Sequence, residues 1–304
     1  MQPVILKIWQ KEMKNEFHES VLVKKAIEAL HIEKGSKYID ATLGNAGHTL
    51  EILNLGGMVL GIEIDPKMLE IAEGRLKTAN KKDFKLVGGN FTEIDRIAKE
   101  NGWYPVAGIL FDLGVTNLHL KDLERGFSFG NSEAPLDMRM NPETQGVKGS
   151  DLLNVLREDQ LRDLFEATME PGAAKWISGR VMHSRMDKPI ETVGDLLEIS
   201  EGLKIGKPGL NEATLPFLAV RVAVNSELTN LEEVLPKAFD LIEKGGRLVV
   251  ISFHSKEDVL VKNFFKEMTK VGAKQITFKP IMAEADEIGI NRRARSAKMR
   301  VLEK

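Results

Sequence analysis

The side chains best suited to chemistry follow predicted β-strands. The turn DATLGNAGH (40–48) comes directly after a strand, and its G-x-x-G spacing lets the backbone approach a ligand closely. Glu63 and Asp65 end the next strand, about 20 residues on, where an acid can bind both hydroxyls of a ribose. Asp112 ends the fourth strand. Because ligands of an open parallel sheet bind beyond the carboxyl ends of its strands, this pattern predicts a site for a nucleoside-containing cofactor.

Two features favour S-adenosylmethionine over a nicotinamide dinucleotide as that cofactor. The turn lacks the G-x-G-x-x-G sequence that cradles a pyrophosphate, which argues against the rival function of a nicotinamide-dependent oxidoreductase. Asp112 also offers a carboxylate where a methyl acceptor would lie. Structural alternatives stay open, because Gly44 and Gly47 also suit an ordinary strand-to-helix turn, and Glu63 and Asp65 also suit a solvated strand end.

The elements that must position these residues form a β-α-β-α series in the first third of the chain. The predicted strands of that series are 37–41, 58–64, 84–87 and 108–113. With helices predicted between them, including 48–55 and 67–76, the alternation predicts an α/β fold with a parallel, doubly wound sheet. Helical periodicity replaces the strand pattern over 121–211, which predicts an inserted helical domain. Further strands are predicted over 247–252, near 275–279 and over 297–303.

The composition describes a globular protein rather than a disordered or membrane-embedded one. Of the 304 residues, 42% are hydrophobic and 29% charged, and no apolar run approaches the roughly 20 residues of a membrane span. The first residues lack the features of a signal peptide, and the absence of cysteine suits a reducing cytoplasm. None of the six histidines has ligand spacing to another, so no metal site is expected. The net charge of −2 means that any RNA contact must use a local basic patch.

Six sequence blocks carry more specific information. They are GILFDLGV (108–115), RGFSF (125–129), PLDMRM (135–140), AVRVAVNSEL (219–228), GGRLVVISFHSKED (245–258) and NRRARSAKMRV (291–301). In this order, the blocks resemble those of the bacterial ribosomal RNA small-subunit methyltransferase H family, also called MraW. The resemblance begins at HESVL (18–22) and extends to the C-terminus, so it covers nearly the whole chain.

The resemblance implies a specific reaction and a domain plan. The reaction is S-adenosylmethionine-dependent methylation of N4 of a cytidine in the decoding region of 16S rRNA, within the small ribosomal subunit or a late assembly intermediate. A Rossmann-like methyltransferase domain is implied over 16–120 and 212–304, with an inserted helical substrate-recognition domain over 121–211 and an N-terminal extension over 1–15. The protein is expected in the cytoplasm, without a membrane partner, and a homodimer is left open.

The family's cofactor contacts carry over onto seven positions of this sequence. They are Ala46, Gly47, His48, Glu63, Phe91, Asp112 and His119. Three depart from the family pattern, since Ala46 replaces a glycine, Glu63 a common aspartate and His119 a frequent glutamine. The stretch NEATLP (211–216) also departs, because the family carries a histidine and an Arg-Thr pair there. These departures leave an alternative open, a catalytically weak or inactive relative that acts as an rRNA-binding assembly factor.

Asp112 is the predicted catalytic residue. By accepting an N–H hydrogen bond, its carboxylate would increase electron density on the target amine and aim the nitrogen lone pair at the methyl group. A role limited to cofactor binding is the alternative. His254 either lines the acceptor pocket or is a structural histidine, and Asn225 and Glu227 lie in a family block without an assigned role.

Two groups of residues are predicted to contact RNA. Arg125, Phe127, Phe129 and Arg139 form the first, a shelf on which an unstacked base would lie. A core position is the alternative for both phenylalanines. The second group is a basic patch that would contact phosphates, made of Arg292, Arg293 and Arg295 with Lys298 and Arg300. Its alternative is a strand edge that charge protects from aggregation.

Overall fold

The computed structural model describes residues 20–204 and 209–304, which form two compact units. The first, called the sheet unit here, comprises the described part of Met1–Gly114 with Glu233–Phe253 and Asp258–Lys304. The second, the helical unit, comprises the described part of Val115–Glu232 with His254–Glu257. The N-terminal extension predicted over 1–15 lies outside the described residues.

The described residues of the sheet unit form a seven-stranded sheet. Its strands are β1 (Lys37–Asp40), β2 (Met58–Glu63), β3 (Phe84–Gly88), β4 (Val106–Asp112), β5 (Ile242–Ser252), β6 (Lys274–Gln275) and β7 (Lys298–Glu303). Their order is β3-β2-β1-β4-β5-β7-β6, with β1 to β5 parallel and β7 antiparallel to both of its neighbours. This order confirms the predicted doubly wound α/β fold. It reverses between β1 and β4, so the turns after these strands lie where ligands bind such sheets.

The helices follow the strands in the predicted alternation. In chain order they are α1 (Val23–Leu30), α2 (Gly47–Asn54), α3 (Pro66–Thr78), α4 (Ile94–Glu100), α5 (Asn117–Lys121), α6 (Gly149–Val155), α7 (Glu158–Glu166), α8 (Pro171–Asp187), α9 (Val193–Ser200), α10 (Thr214–Val224), α11 (Glu227–Leu241), α12 (Ser255–Lys270) and α13 (Ala285–Ile290). The start of α3 shows why the local sequence is helical. Asp65 caps this helix by accepting the Lys67 N–H (2.8 Å), and Pro66 stands at the first helical position.

The core of the sheet unit explains the near-continuous hydrophobic strands. In β4, Ile109, Leu110 and Phe111 are all fully buried, as expected for a parallel strand covered on both faces. Gly108, also in β4, allows a close approach, because a Cβ there would lie 3.0 Å from Leu30 of α1 and 3.2 Å from Tyr38 of β1. These contacts fix the strands whose carboxyl ends carry the site.

The helical unit has a hydrophobic core of its own. Leu153, Phe165, Val181, Leu196 and Val220, each from a different helix of α6 to α10, are buried together in it. None of the helices among the described residues has the length and apolar character needed to cross a membrane. A substrate-recognition role for 121–211 stays a prediction.

Asn225 has a structural role in the helical unit. Its Nδ2 donates to the Met138 carbonyl (2.9 Å), and its Oδ1 accepts the Met140 N–H (3.0 Å). The Gln145 side chain also donates to Oδ1 (3.0 Å). Asn225 therefore fixes the PLDMRM segment to the end of α10, which accounts for one residue that the sequence left unassigned.

Candidate cofactor and acceptor site

Glu63, at the end of β2, holds the turn after β1 in shape. The Gly44 N–H donates to Glu63 Oε2 (2.7 Å), and the Asp65 N–H donates to Oε1 (2.9 Å). Gly44 and Ala46 both have left-handed backbones, with φ of 52° and 61°. Glycine adopts this conformation without the penalty that a Cβ brings, so the family's usual glycine suits position 46 better than alanine does.

Gly47 begins α2 at a close contact. A Cβ at Gly47 would overlap the Ser20 side chain, so no larger residue fits without a shift of that serine. The predicted cofactor positions 46 to 48 therefore form a tightly packed turn that leads into a helix, as the G-x-x-G spacing indicated.

Burial raises the pKa of Glu63 to about 7, although the hydrogen bonds from Asp65 and Gly44 lower it. The nearby carboxylates of Asp65 and Asp40 add to the rise. Near neutral pH, Glu63 is therefore present in both its protonated and its ionised form. The ionised form, with acceptor capacity left on both oxygens, is the one suited to ribose hydroxyls.

Asp40, Thr42 and Thr49 also lie at the candidate site, although sequence reasoning did not single them out. Thr49 donates its hydroxyl to Asp40 Oδ2 (2.7 Å), which ties α2 to the end of β1. The Asp112 N–H donates to the Thr42 hydroxyl (2.6 Å), which ties β4 to the same turn. Burial raises the pKa of Asp40, partly offset by His48 and by the hydrogen bonds from Thr49 and Thr42. An aspartate at a strand end, followed by threonines, was the available signal.

Asp112 and His48 bring two hydrogen-bond acceptors together. His48 Nε2 lies 3.1 Å from the Val21 carbonyl oxygen, so Nε2 must carry a hydrogen in the neutral ring. Burial lowers the pKa of His48, although Asp40 opposes the shift, and this lowering favours the neutral ring. Its unprotonated Nδ1 lies 3.8 Å from Asp112 Oδ2. Such a pair of acceptors suits a ligand group that donates hydrogen bonds, such as an amine.

Phe91 lies in a 3₁₀ turn directly after β3. Asn90 caps this turn by accepting the Thr92 N–H (3.0 Å). The Phe91 ring packs edge-to-face on Phe111 of β4, with 5.7 Å between ring centroids. Phe111 is fully buried and Phe91 partly exposed, so part of the Phe91 ring remains for a ligand at the carboxyl ends of the strands.

His119, predicted to contact the cofactor, lies in helix α5 of the helical unit and forms a capping box with the N-cap residue Thr116. Its Nδ1 accepts the Thr116 N–H (3.0 Å), and its own N–H donates to the Thr116 hydroxyl (3.3 Å). The ring is buried, with its centroid 5.3 Å from that of Phe127. A contact between His119 and the cofactor stays a prediction.

The predicted RNA shelf needs correction at two positions. Phe127 is only 7% exposed and belongs to the core of the helical unit, with the Arg125 guanidinium 5.3 Å from its ring centroid. Arg139 is engaged by both carboxylate oxygens of Asp137, each at 2.7 Å. Arg125 is partly engaged too, because it donates to the carbonyls of Arg139 and Met140 (both 2.8 Å). Phe129 is 36% exposed, and its ring packs edge-to-face with Phe217, with 4.7 Å between ring centroids.

The C-terminal basic patch is smaller than the sequence indicated. Arg292 and Arg295 are exposed, whereas the Arg293 guanidinium lies 5.2 Å from the ring centroid of Phe253. Arg300 is only 4% exposed, and its Nε donates to Asp258 Oδ1 (2.7 Å). Including Arg300 in the surface patch was therefore wrong, because this side chain forms a buried ion pair.

Comparison with known proteins relates the whole described chain to one group. The model of the MraW methylase family matches residues 15–304. Two proteins named Ribosomal RNA small subunit methyltransferase H are each 38% identical to the chain. The one from Dictyoglomus thermophilum aligns over 291 residues, 94% of this chain and 96% of the relative. The one from Geobacter sulfurreducens aligns over 309 residues, 94% of this chain and 98% of the relative.

Proposed function

Because the chain belongs to the MraW methylase family, we propose that it transfers a methyl group from S-adenosylmethionine to N4 of a cytidine in the decoding region of 16S rRNA. The name shared by the relatives supports small-subunit rRNA as the substrate. On this proposal the substrate is the small ribosomal subunit or a late assembly intermediate, and the reaction takes place in the cytoplasm.

The residues at the carboxyl ends of β1, β2 and β4 fit S-adenosylmethionine. The Gly44–Gly47 turn offers a close backbone approach, and Glu63 offers acceptors for the ribose hydroxyls. Asp40, Glu63 and Asp112 together make this edge acidic, which suits the cationic groups of the cofactor. When bound, S-adenosylmethionine supplies a methyl group on a sulfonium that is both electrophile and leaving group.

The observation that carries the proposal is the pair of acceptors formed by Asp112 and His48. The exocyclic amine of cytosine is a poor nucleophile, because its lone pair is delocalised into the ring. Asp112 Oδ2 and His48 Nδ1, 3.8 Å apart, are suited to accept hydrogen bonds from that amine. Accepting them would raise electron density on nitrogen and hold its lone pair in a fixed direction. The protein's contribution is then mainly alignment of the reactants.

We assign substrate recognition to the helical unit and RNA contacts to residues that keep exposed surface. Phe129 offers a ring for stacking, as expected for an unpaired base. Arg292 and Arg295 offer positive charge for phosphates, whereas Arg125 and Arg293 are engaged in contacts within the protein. The alternative of a non-catalytic assembly factor gains no support from the site, since Asp112 and Glu63 are both present at its edge.

The test is transfer of labelled methyl from S-adenosylmethionine to small ribosomal subunits that lack the modification, followed by mass analysis of the nucleosides. We expect the label in N4-methylcytidine. Asp112→Asn replaces a charged acceptor with a neutral one, which weakens a hydrogen bond by about 1–2 kcal/mol and slows transfer roughly tenfold. Cofactor affinity, measured by calorimetry, should change much less.

Asp83→Asn is the matched control, because Asp83 is an exposed aspartate of the sheet unit away from these strand ends. It should transfer at the parent rate. A variant Asp112→Asn that loses cofactor binding and transfer together would limit Asp112 to binding the cofactor. No label on subunits or on free rRNA, with the cofactor still bound, would refute the enzymatic proposal and favour the assembly factor.

A further inference from the structure

Three side chains of metal-ligand type converge in the helical unit. They are Glu227, His254 and Glu257, and one ligand atom from each lies within 4.8 Å of the others. Glu227 is the first residue of α11, His254 directly precedes α12, and Glu257 lies in the first turn of α12. In the sequence, Glu227 lies 27 residues before His254, so the cluster becomes visible only in the fold.

His254 is the observation that points to a ligand. Its side chain is only 10% exposed, and neither ring nitrogen has a hydrogen-bond partner. Nε2 lies 3.3 Å from Glu257 Oε1, but the two atoms do not form a hydrogen bond. Buried polar atoms of this kind are rare, and an ion or water that bonds them is a common explanation. Two side-chain atoms that bind the same metal ion also lie close together without a hydrogen bond between them.

The spacing of the donor atoms favours a single ion over a larger ligand. Metal–ligand distances of about 2.0–2.2 Å place any two ligands of one ion no more than about 4.4 Å apart. The three donor atoms of this cluster all lie within 4.8 Å of one another, slightly more than that span. Small side-chain movements would therefore bring all three atoms onto one ion.

Contacts around the cluster orient two of its members. The partly buried Arg221 side chain donates to both carboxylate oxygens of Glu227, at 2.8 and 2.9 Å. The backbone N–H of His254 donates to Glu257 Oε2 (3.2 Å), which fixes the start of α12. Such surrounding hydrogen bonds orient metal ligands in proteins. The Arg221 cation also reduces the negative potential at the site, which limits affinity for a dication.

We propose that Glu227, His254 and Glu257 bind one divalent first-row transition-metal ion, such as Zn²⁺ or Mn²⁺. Two carboxylates with one imidazole suit these ions, whereas Mg²⁺ and Ca²⁺ prefer oxygen ligands alone. Three protein ligands leave at least one coordination position for water. By joining the first turns of α11 and α12, the ion would stabilise the folded protein.

The test uses the full chain, dialysed against a chelator and titrated calorimetrically with ZnCl₂, MnCl₂ or MgCl₂. We expect saturable one-to-one binding of Zn²⁺ or Mn²⁺ with a Kd on the order of micromolar, weaker binding of Mg²⁺, and a rise in melting temperature with bound ion. His254→Gln and Glu257→Gln should each weaken binding by at least about tenfold. His183→Gln, which changes an exposed histidine of the same unit, should bind like the parent.

Two results would overturn the proposal. One is the absence of one-to-one binding to the parent by either transition metal. The other is binding that survives unchanged in both cluster variants while circular dichroism shows them folded. If both variants fail to fold, X-ray absorption of the Zn²⁺-loaded parent decides, because this site requires one imidazole nitrogen among oxygen ligands. A zinc spectrum without imidazole would refute the site.

Discussion

The pKa of Glu63 should make nucleoside binding depend on pH. Burial raises this pKa from 4.5 to about 7, which corresponds to a penalty of about 3 kcal/mol on the ionised form. If Glu63 binds ribose hydroxyls as a carboxylate, only the ionised protein binds well. Affinity should then fall about tenfold for each pH unit below 7 and become constant above it. Between about pH 8.5 and 5.5, the expected loss is roughly 30-fold.

The assay is calorimetric titration with 5′-methylthioadenosine. This ligand keeps the adenosine but lacks the methionine amino and carboxyl groups, so its own ionisation does not contribute in the pH range used. Glu63→Gln cannot ionise, so it should bind weakly with little dependence on pH. Asp40 also has a raised pKa, and the Glu63 variant separates the two acids. Constant affinity of the parent across the range would refute a carboxylate–ribose contact, and a slope that persists in Glu63→Gln would assign the dependence to another group.

Stability of the ligand-free protein should change in the opposite direction. The pKa of Glu63 is higher in the folded state than in the unfolded one, so its stabilising contribution is complete below about pH 4.5. That contribution is lost as pH rises through about 7, and it amounts to about 3 kcal/mol. Urea unfolding of the parent and of Glu63→Gln at several pH values measures this difference. Affinity that rises while stability falls would distinguish Glu63 from a group that acts only on the fold.

Other predictions concern stability and RNA binding. Asp258→Asn should lower the free energy of unfolding by about 3 kcal/mol in urea titrations, because it leaves the buried Arg300 cation without its carboxylate; an unchanged midpoint would contradict this. In the parent, burial raises the pKa of Asp258, but Arg300 and Lys298 lower it by more, so the pKa lies below its usual value. The stabilising contribution of this ion pair is therefore lost only as pH falls below about 4. Arg292→Ala with Arg295→Ala should reduce the slope of log affinity for rRNA against log salt by up to about 2, as each lost phosphate contact removes about one unit, and an unchanged slope would exclude both residues. Phe129→Ala should weaken binding of the target RNA by about 1–3 kcal/mol if the ring stacks on a base, whereas Phe127→Ala should destabilise the protein instead.

The sheet was predictable because its strands are short apolar runs between turn signals. The last strands show the limit of this reasoning, since 275–279 was predicted as a strand but β6 spans only Lys274–Gln275. The Thr277 hydroxyl accepts the Val301 N–H (2.9 Å), so a side-chain hydrogen bond replaces the backbone hydrogen bond that a longer strand would make there. A pattern of residue types does not distinguish these two ways of satisfying an N–H group.

The site was predictable where strand ends define it, and less so where side chains from distant segments meet. Glu63 and Asp112 followed from the strand pattern, but the tie between Thr49 and Asp40 depends on how α2 packs against β1. Phe127 and Phe129 share one block, and the sequence alone did not separate the buried ring from the exposed one. For the same reason, linear spacing of histidines gave no sign that Glu227 lies beside His254.

The three acids at the strand ends of the sheet unit differ in how deeply they are buried. Asp40 and Glu63 are buried with raised pKa values, whereas Asp112 keeps partial exposure. Hydrogen bonds from Thr49 and Gly44 fix the two buried acids, so they shape the turn even when they are protonated. A ligand with positive charge and hydroxyl donors would offset the free-energy cost of ionising these acids. In the ligand-free protein, protonation of the acids avoids part of that cost. On the proposed function, the burial that raises these pKa values would therefore favour such a ligand.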